Sequence, residues 1–280
     1  MNIRFLGDRK DFVKYDFLLQ MALTLRPRAG VMVIPMLTGT PFRYPVGPRD
    51  ADLHAHVARM TVDLAGHFHS VTASVSDFFG RNGVQLRFSP GGILAPGARE
   101  EYFTNAAVSS DAEAILFVDP DTGLETTSQG TTTHLRYTEL DGLHQRMSEQ
   151  SILIVYQHRR RELFQKTWSH ITQALQHRTH IRQAASWTNG EVAFVLTSRS
   201  ERAWNRMGVA LDKYVQRTNE GEVLRWGCDA GPDNLVSPSA PRPPCACGCG
   251  HYPKGARSRF FPGHDARVRG GVVGVDEHGE

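Results

Sequence analysis

Two kinds of apolar pattern alternate along roughly the first 215 residues of the chain. Short, largely apolar blocks occur at 3–6 (IRFL), 31–37 (VMVIPML), 115–118 (ILFV), 152–156 (ILIVY) and 192–197 (VAFVLT). They read as strands, and ILIVY, with no polar alternation, as one covered on both sides. Pro35 must then sit near a strand end, because it offers no amide to a sheet ladder. Between the blocks, apolar residues recur every three or four positions, the spacing of a helix face. Phe12, Tyr15, Leu18, Leu19 and Ala22 form one such stripe, with Asp8 as a candidate cap. Leu53, Val57, Met60, Leu64 and Phe68 form a second, extended by Val71, Val75 and Phe78, as one long helix or two broken near His69–Ser70. Leu140, Leu143 and Met147 mark a third, Phe164, Trp168, Ile171 and Leu175 a fourth, and Trp204, Met207, Leu211 and Tyr214 the last. The stretch 80–112 is the least regular, and SPGGILAPG within it reads as loop.

Alternating strands and helices predict right-handed crossovers. The expected class is α/β, a Rossmann-like, mainly parallel sheet with helices on both faces, spanning residues 1–220. From Gly221 the periodicity fades. Residues 221–244 read as a Pro/Ser-rich linker, 245–270 as a small Cys/His module and 271–280 as a tail.

Composition narrows the class without naming a function. The chain has 280 residues, 40% hydrophobic and 22% charged, as a globular protein does. No apolar run approaches the roughly 20 residues of a membrane span. The N-terminal MNIRFLGDRKDF lacks an apolar signal core, so a cytoplasmic protein without a membrane partner is expected. The net charge of +3 is small, but its distribution is uneven. Between Arg242 and Arg269 there are six Lys/Arg against one acid, Asp265, with Phe260 and Phe261 among them. That excess suits a polyanion, and nucleic acid is the expected partner.

Ligands of an open parallel sheet bind beyond the carboxyl ends of its strands. The segments expected there are GDRKDFVKYD (Asp8, Asp11, Lys14), DPDTGLE (Asp119, Asp121, Glu125), QHRRRE (Gln157, His158, Arg159–Arg161) and SRSER. Asp119 and His158 directly follow buried apolar runs, which makes them candidate catalytic groups together with Asp121. Asp-Pro-Asp-x-Gly is also sound turn chemistry, so Asp121 can serve as a turn cap instead.

VDPDTGLE resembles the Asp-Pro loop after the fourth strand of Rossmann-like amino-methyltransferases. Asp119 and Pro120 match it, and Asp121–Thr122 replace its Pro-Tyr. GDRKDFVKY is similar to the opening helix of the J-type adenine-N6 ribosomal RNA methyltransferases. Gly7, Asp11 and Lys14 match, while Asp8 and Tyr15 depart. The overall pattern also resembles a family of bacterial and phage-associated proteins. The resemblance implies S-adenosylmethionine as cofactor, with Gly7, Asp8, Asp11 and Lys14 near it and Asp119 accepting a hydrogen bond from a target amine. A second chemistry fits the same carboxylates. Asp8, Asp119, Asp121 and Glu125 could hold Mg²⁺ or Mn²⁺ in a nuclease or phosphoesterase, with His158 and the adjoining arginines on phosphate. A non-catalytic nucleic-acid-binding or adaptor protein is the third class.

Cys245, Cys247 and Cys249 fall two residues apart in CACGCG. Three thiolates and one imidazole, His264 or its rival His251, make a tetrahedral zinc set, and Gly248 and Gly250 permit the sharp turn it needs. The segment resembles a Cys-x-Cys-Gly-Cys/Pro-Gly-His-Asp zinc-type module, which implies structural zinc. Four histidines at His54, His56, His67 and His69 stand at i, i+2 spacing, which does not chelate on a helix. Trp168, Trp187 and Trp204 are expected in the core, and Cys228 is expected to be packed.

Overall fold

In the computed structural model the described residues are 9–36, 68–89, 94, 96–106, 112–125, 133–158 and 163–227. Helix α1 (Arg9–Leu25) precedes strand β1 (Val31–Pro35), α2 (Phe68–Arg81) and β2 (Leu86–Phe88). A short 3₁₀ turn (Pro96–Ala98) leads into α3 (Arg99–Thr104) and β3 (Ile115–Asp119). Then come β4 (Gly123–Leu124), β5 (His134–Leu135), α4 (Tyr137–Arg146), β6 (Ile152–His158) and α5 (Phe164–Arg178). The hairpin β7 (Ala184–Thr188) and β8 (Val192–Ser198), α6 (Glu201–Thr218) and β9 (Glu222–Trp226) follow. Residues group into two units, Met1–Leu235 and Val236–Glu280, and every described residue lies in the first.

The α/β class holds, as a mixed and mostly parallel sheet. Seven strands run in the order β2-β1-β3-β6-β8-β7-β9. The pairs β2–β1, β1–β3 and β3–β6 are parallel, whereas β6–β8, β8–β7 and β7–β9 are antiparallel. The expected crossover before β8 is absent for a local reason. Only Asn189, Gly190 and Glu191 separate β7 from β8, and a parallel return needs a dozen residues or more. Asn189 Oδ1 closes the turn by accepting the Glu191 and Val192 amides at 3.0 and 3.1 Å.

Side chains of successive residues leave a strand on opposite faces, and the core divides accordingly. Val33, Phe117, Ile154 and Phe194 face one layer with residues of α1, α2 and α6. Ile34, Val118, Val155 and Val195 face the other with α3, α4 and α5. On the first face Phe17 stacks on Phe194 with centroids 4.2 Å apart, and Trp187 and Tyr214 close around them. This aromatic packing seats α1 flat on the sheet beside α6. Helix α6 starts at Ser200, whose hydroxyl accepts the Ala203 amide, and ends at Asn219 in the left-handed region. On the second face a buried ion pair joins Arg99 of α3 to both oxygens of Glu139 in α4, at 2.7 and 2.6 Å.

Other expectations change. The stretch 80–112 contains β2 and α3. Glu222–Trp226, expected at the start of the linker, pairs with β7 as an edge strand. The expected blocks at 3–6 and 53–67 lie outside the described residues, as does the Cys/His module. Among the described residues no helix is long and apolar enough to cross a membrane.

His144, buried in α4, gives the fold a pH dependence. Burial pushes its imidazole below the ordinary 6.5, with Arg199 and His180 acting the same way and the Ser198 backbone and Asp141 opposing. Below pH 6.5 the unfolded chain takes up a proton that the folded chain resists, so stability declines as pH falls from that value. Above it the ring is neutral in both states and contributes no slope. Urea midpoints measured between about pH 7.5 and 5 should fall in the parent protein and fall less in His144→Leu.

Candidate functional site

The chain leaves β1 towards β2 on one side, and β3 then pairs with the other side of β1. The connections therefore diverge between β1 and β3, a topological switch point, the position at which open α/β sheets bind ligands beyond the strand ends. Pro35 and Asp119 are the last residues of the two strands and stand in register. The Met36 amide donates to the Asp119 carbonyl at 3.2 Å, tying the two ends together. Tyr102 of α3 donates its hydroxyl to the Pro35 carbonyl, so the second helical layer also grips this point. Burial pushes the Tyr102 phenol well above its ordinary range, which keeps it a donor.

The Asp119 side chain meets α1 there. Asp11 and Lys14 lie one turn apart on that helix and share a face. Lys14 Nζ is 3.1 Å from Asp11 Oδ1 and 3.1 Å from Asp119 Oδ1, and it donates to Asp119 Oδ2 at 3.2 Å. It also stands over the Tyr156 ring, 4.3 Å from the centroid. Asp11, Lys14 and Asp119 are 5%, 7% and 2% exposed, so this triad is withdrawn from water. Burial by itself would lower the Lys14 pKa, but the Asp119 and Asp11 carboxylates outweigh it and hold the ammonium well above its usual range. Tyr15, buried beside them, is pushed up by burial and by the Asp11 charge.

His158, at the end of β6, is half-buried on the rim of this cluster. Its Nδ1 lies 3.2 Å from the Tyr156 hydroxyl and its Nε2 3.4 Å from Lys10 Nζ. The opening helix, Asp119 and His158 are thus brought to one place. Asp121 is half-buried in the turn after β3, which is pinned where Thr122 donates its amide and its hydroxyl to the Thr133 carbonyl at 3.2 and 3.0 Å.

Two expectations about this rim do not hold. Glu125 accepts from Arg178 at 2.7 Å and from the Tyr137 amide at 3.1 Å, so it anchors the starts of α4 and the end of α5 instead of joining the other carboxylates. The segment SRSER lies at the opposite end of the sheet. Because β8 runs antiparallel to β6, its last residue Ser198 stands beside Ile152, the first residue of β6. Gly7, Asp8, Arg159–Arg161, Cys245, Cys247, Cys249, His251 and His264 lie outside the described residues.

Sequence reasoning missed Lys10, Tyr156 and Tyr102. Lys10 sits one turn before Lys14 on the same helix, a spacing legible once α1 is granted. Tyr156 hid in an apolar run as an ordinary core aromatic. Tyr102 lies in the least regular stretch, 80–112, where no periodicity marks a helix.

The triad has a measurable energetic signature. Removing the ammonium leaves two buried carboxylates facing each other. Lys14→Met should cost about 3–5 kcal/mol in denaturant unfolding, and adding Asp119→Asn should recover part of that loss. Additive effects would mean that the two side chains are not coupled.

No family model matches the chain, and no curated protein matches it. Among solved structures, protein LPL1258 of Legionella pneumophila, of family DUF519, is similar at 8% identity with a TM-score of 0.35. The alignment covers 77% of this chain and 97% of that one.

Proposed function

We propose that the cleft beyond β1 and β3 is the active site of a Rossmann-like, S-adenosylmethionine-dependent methyltransferase acting on an amino group of nucleic acid. The observation that carries the reading is the placement of Asp119. It ends a fully buried strand at the switch point, with both carboxylate oxygens held from one side by Lys14. A carboxylate fixed in this way is oriented before any ligand arrives, which is what a hydrogen-bond acceptor for a target amine requires.

The residues fit the cofactor in charge. Two buried carboxylates face one buried ammonium there, a net negative charge, and Asp11 would face the cofactor's cationic part while Lys14 holds Asp11 in place. When bound, the cofactor supplies an electrophilic methyl group on a sulfonium. The remaining roles belong to the chain. Asp119 accepts an N–H of the target amine and aims its lone pair. Lys14 keeps the carboxylate from rotating. His158, half-exposed and oriented by Tyr156 and Lys10, takes the proton that the amine loses and passes it to water. The basic segment Arg242–Arg269 supplies the attraction for the polyanionic substrate.

Metal-dependent phosphodiester cleavage is less well supported. Lys14 already occupies the position between Asp11 and Asp119 that a divalent ion would need, and Glu125 is committed to Arg178.

Calorimetry on the full chain tests the proposal. S-adenosylmethionine should bind, and Asp11→Ala should weaken it by about tenfold or more while Lys14 remains paired with Asp119. Failure of the parent protein to bind at about 1 mM ligand would refute the methyl-transfer reading. Arg-dependent nucleic-acid binding alone would then identify an adaptor.

We propose in addition that Cys245, Cys247, Cys249 and His264 bind structural zinc. The donor set is soft and tetrahedral in number, and metal would provide folding energy to a segment with little apolar content. Elemental analysis should return about one zinc per chain, lost in Cys247→Ser. Metal-free protein would contradict it.

A further inference from the structure

The strand β6 is apolar from Ile152 to Tyr156, and Gln157 follows in the same buried run at 1% exposure. A carboxamide in that position must satisfy both its ends or lose stability. Its Oε1 accepts the Leu124 amide at 2.8 Å, and its Nε2 donates to the His158 carbonyl at 3.3 Å. The approach is close because Gly123, at φ +97°, presents no Cβ. A Cβ built there would overlap the Gln157 carboxamide. The glycine thus supplies both the positive φ and the space that the glutamine fills.

Other bonds tie the 119–125 turn to different elements. The Asp119 carbonyl accepts from Met36 after β1, and the Thr122 and Glu125 amides donate to the Thr133 and Leu135 carbonyls. Gln157 ties the turn to β6, the strand that carries Tyr156 and His158. We infer that Gln157 is a positioning residue of the cleft: its carboxamide couples the turn that follows Asp119 to the strand end that bears His158. The spacing of those two groups around a bound ligand then depends on one side chain that touches neither ligand nor reacting atoms. The role demands an acceptor at one end and a donor at the other, at the full length of glutamine. Methionine offers the length and neither group. Asparagine offers both groups and is one methylene short. Glutamic acid has the length, and its protonated form, which burial favours, keeps an acceptor for the Leu124 amide and offers an O–H donor to the His158 carbonyl.

The functional half of this inference rests on the methyltransferase reading, and its structural half does not. Amide hydrogen exchange on the full-length protein reads the coupling directly. Gln157→Met and Gln157→Asn should accelerate exchange at 119–125 by about tenfold or more, with α6 and β8 unchanged, and Gln157→Glu should restore most of the protection. Calorimetry with S-adenosylmethionine should show affinity lowered by about tenfold in the first two variants and within about threefold of the parent in the third. Unchanged exchange in the turn, acceleration spread evenly over the protein, or asparagine performing as well as glutamine would each overturn the inference. If the parent protein binds no S-adenosylmethionine, the cofactor assignment falls, and the exchange contrast still decides whether Gln157 couples the two segments.

Discussion

A buried ammonium held between two carboxylates organises this protein. Lys14 draws Asp11 from its own helix and Asp119 from the central sheet to about the same distance. An unpaired charge at that depth would be expelled or neutralised, so the three groups are stable only together. This requirement fixes the axial position of α1 on the sheet. The aromatic stack of Phe17 on Phe194 sets how the helix lies, but apolar contacts are non-directional and would tolerate a slide. The ion triad would not. Packing chooses the face, and the charges choose the register.

The same triad leaves a polar centre at the topological switch point of the sheet. Around it, a phenol from α3, a ring from β6 and an imidazole at the rim come from elements far apart in sequence. A site with supports in both helical layers holds its geometry only if the whole sheet is formed.

Much of this could be read from the sequence, and the limits have physical causes. Buried strands are legible when every position is apolar, as in β3 and β6. The strand β7 (AASWT) is as buried as they are, yet its small and hydroxylated residues carry no periodic signal. Its Ser186 and Thr188 hydroxyls are satisfied by the Phe194 and Val192 carbonyls of the partner strand, which a single segment cannot reveal. Missing β7 also hid the reversal of β8, and with it the true end of the sheet at which SRSER lies. For the site, Asp119 and His158 were visible because charge follows directly on buried runs. Lys14 was visible through spacing on its helix, but its partner was not, since the contact with Asp119 spans 105 positions. Glu125 illustrates the opposite error. Its proximity in sequence to Asp119 suggested a shared role, and a turn with its own pins carried it away to Arg178. Gln157 left a trace, a polar residue closing an apolar run, without any hint of what it held.

The insertion of β8 between β6 and β7 has a consequence for how the chain is made. Until residue 198 has been synthesised, the strand bearing His158 has β3 on one flank and an open ladder of amides and carbonyls on the other. A nascent or truncated chain ending before the hairpin would present β6 as a long, flat, apolar border, the kind of edge along which polypeptides adhere to one another. The hairpin that reverses direction at Asn189–Gly190 is therefore also the cover that makes the N-terminal portion safe to release.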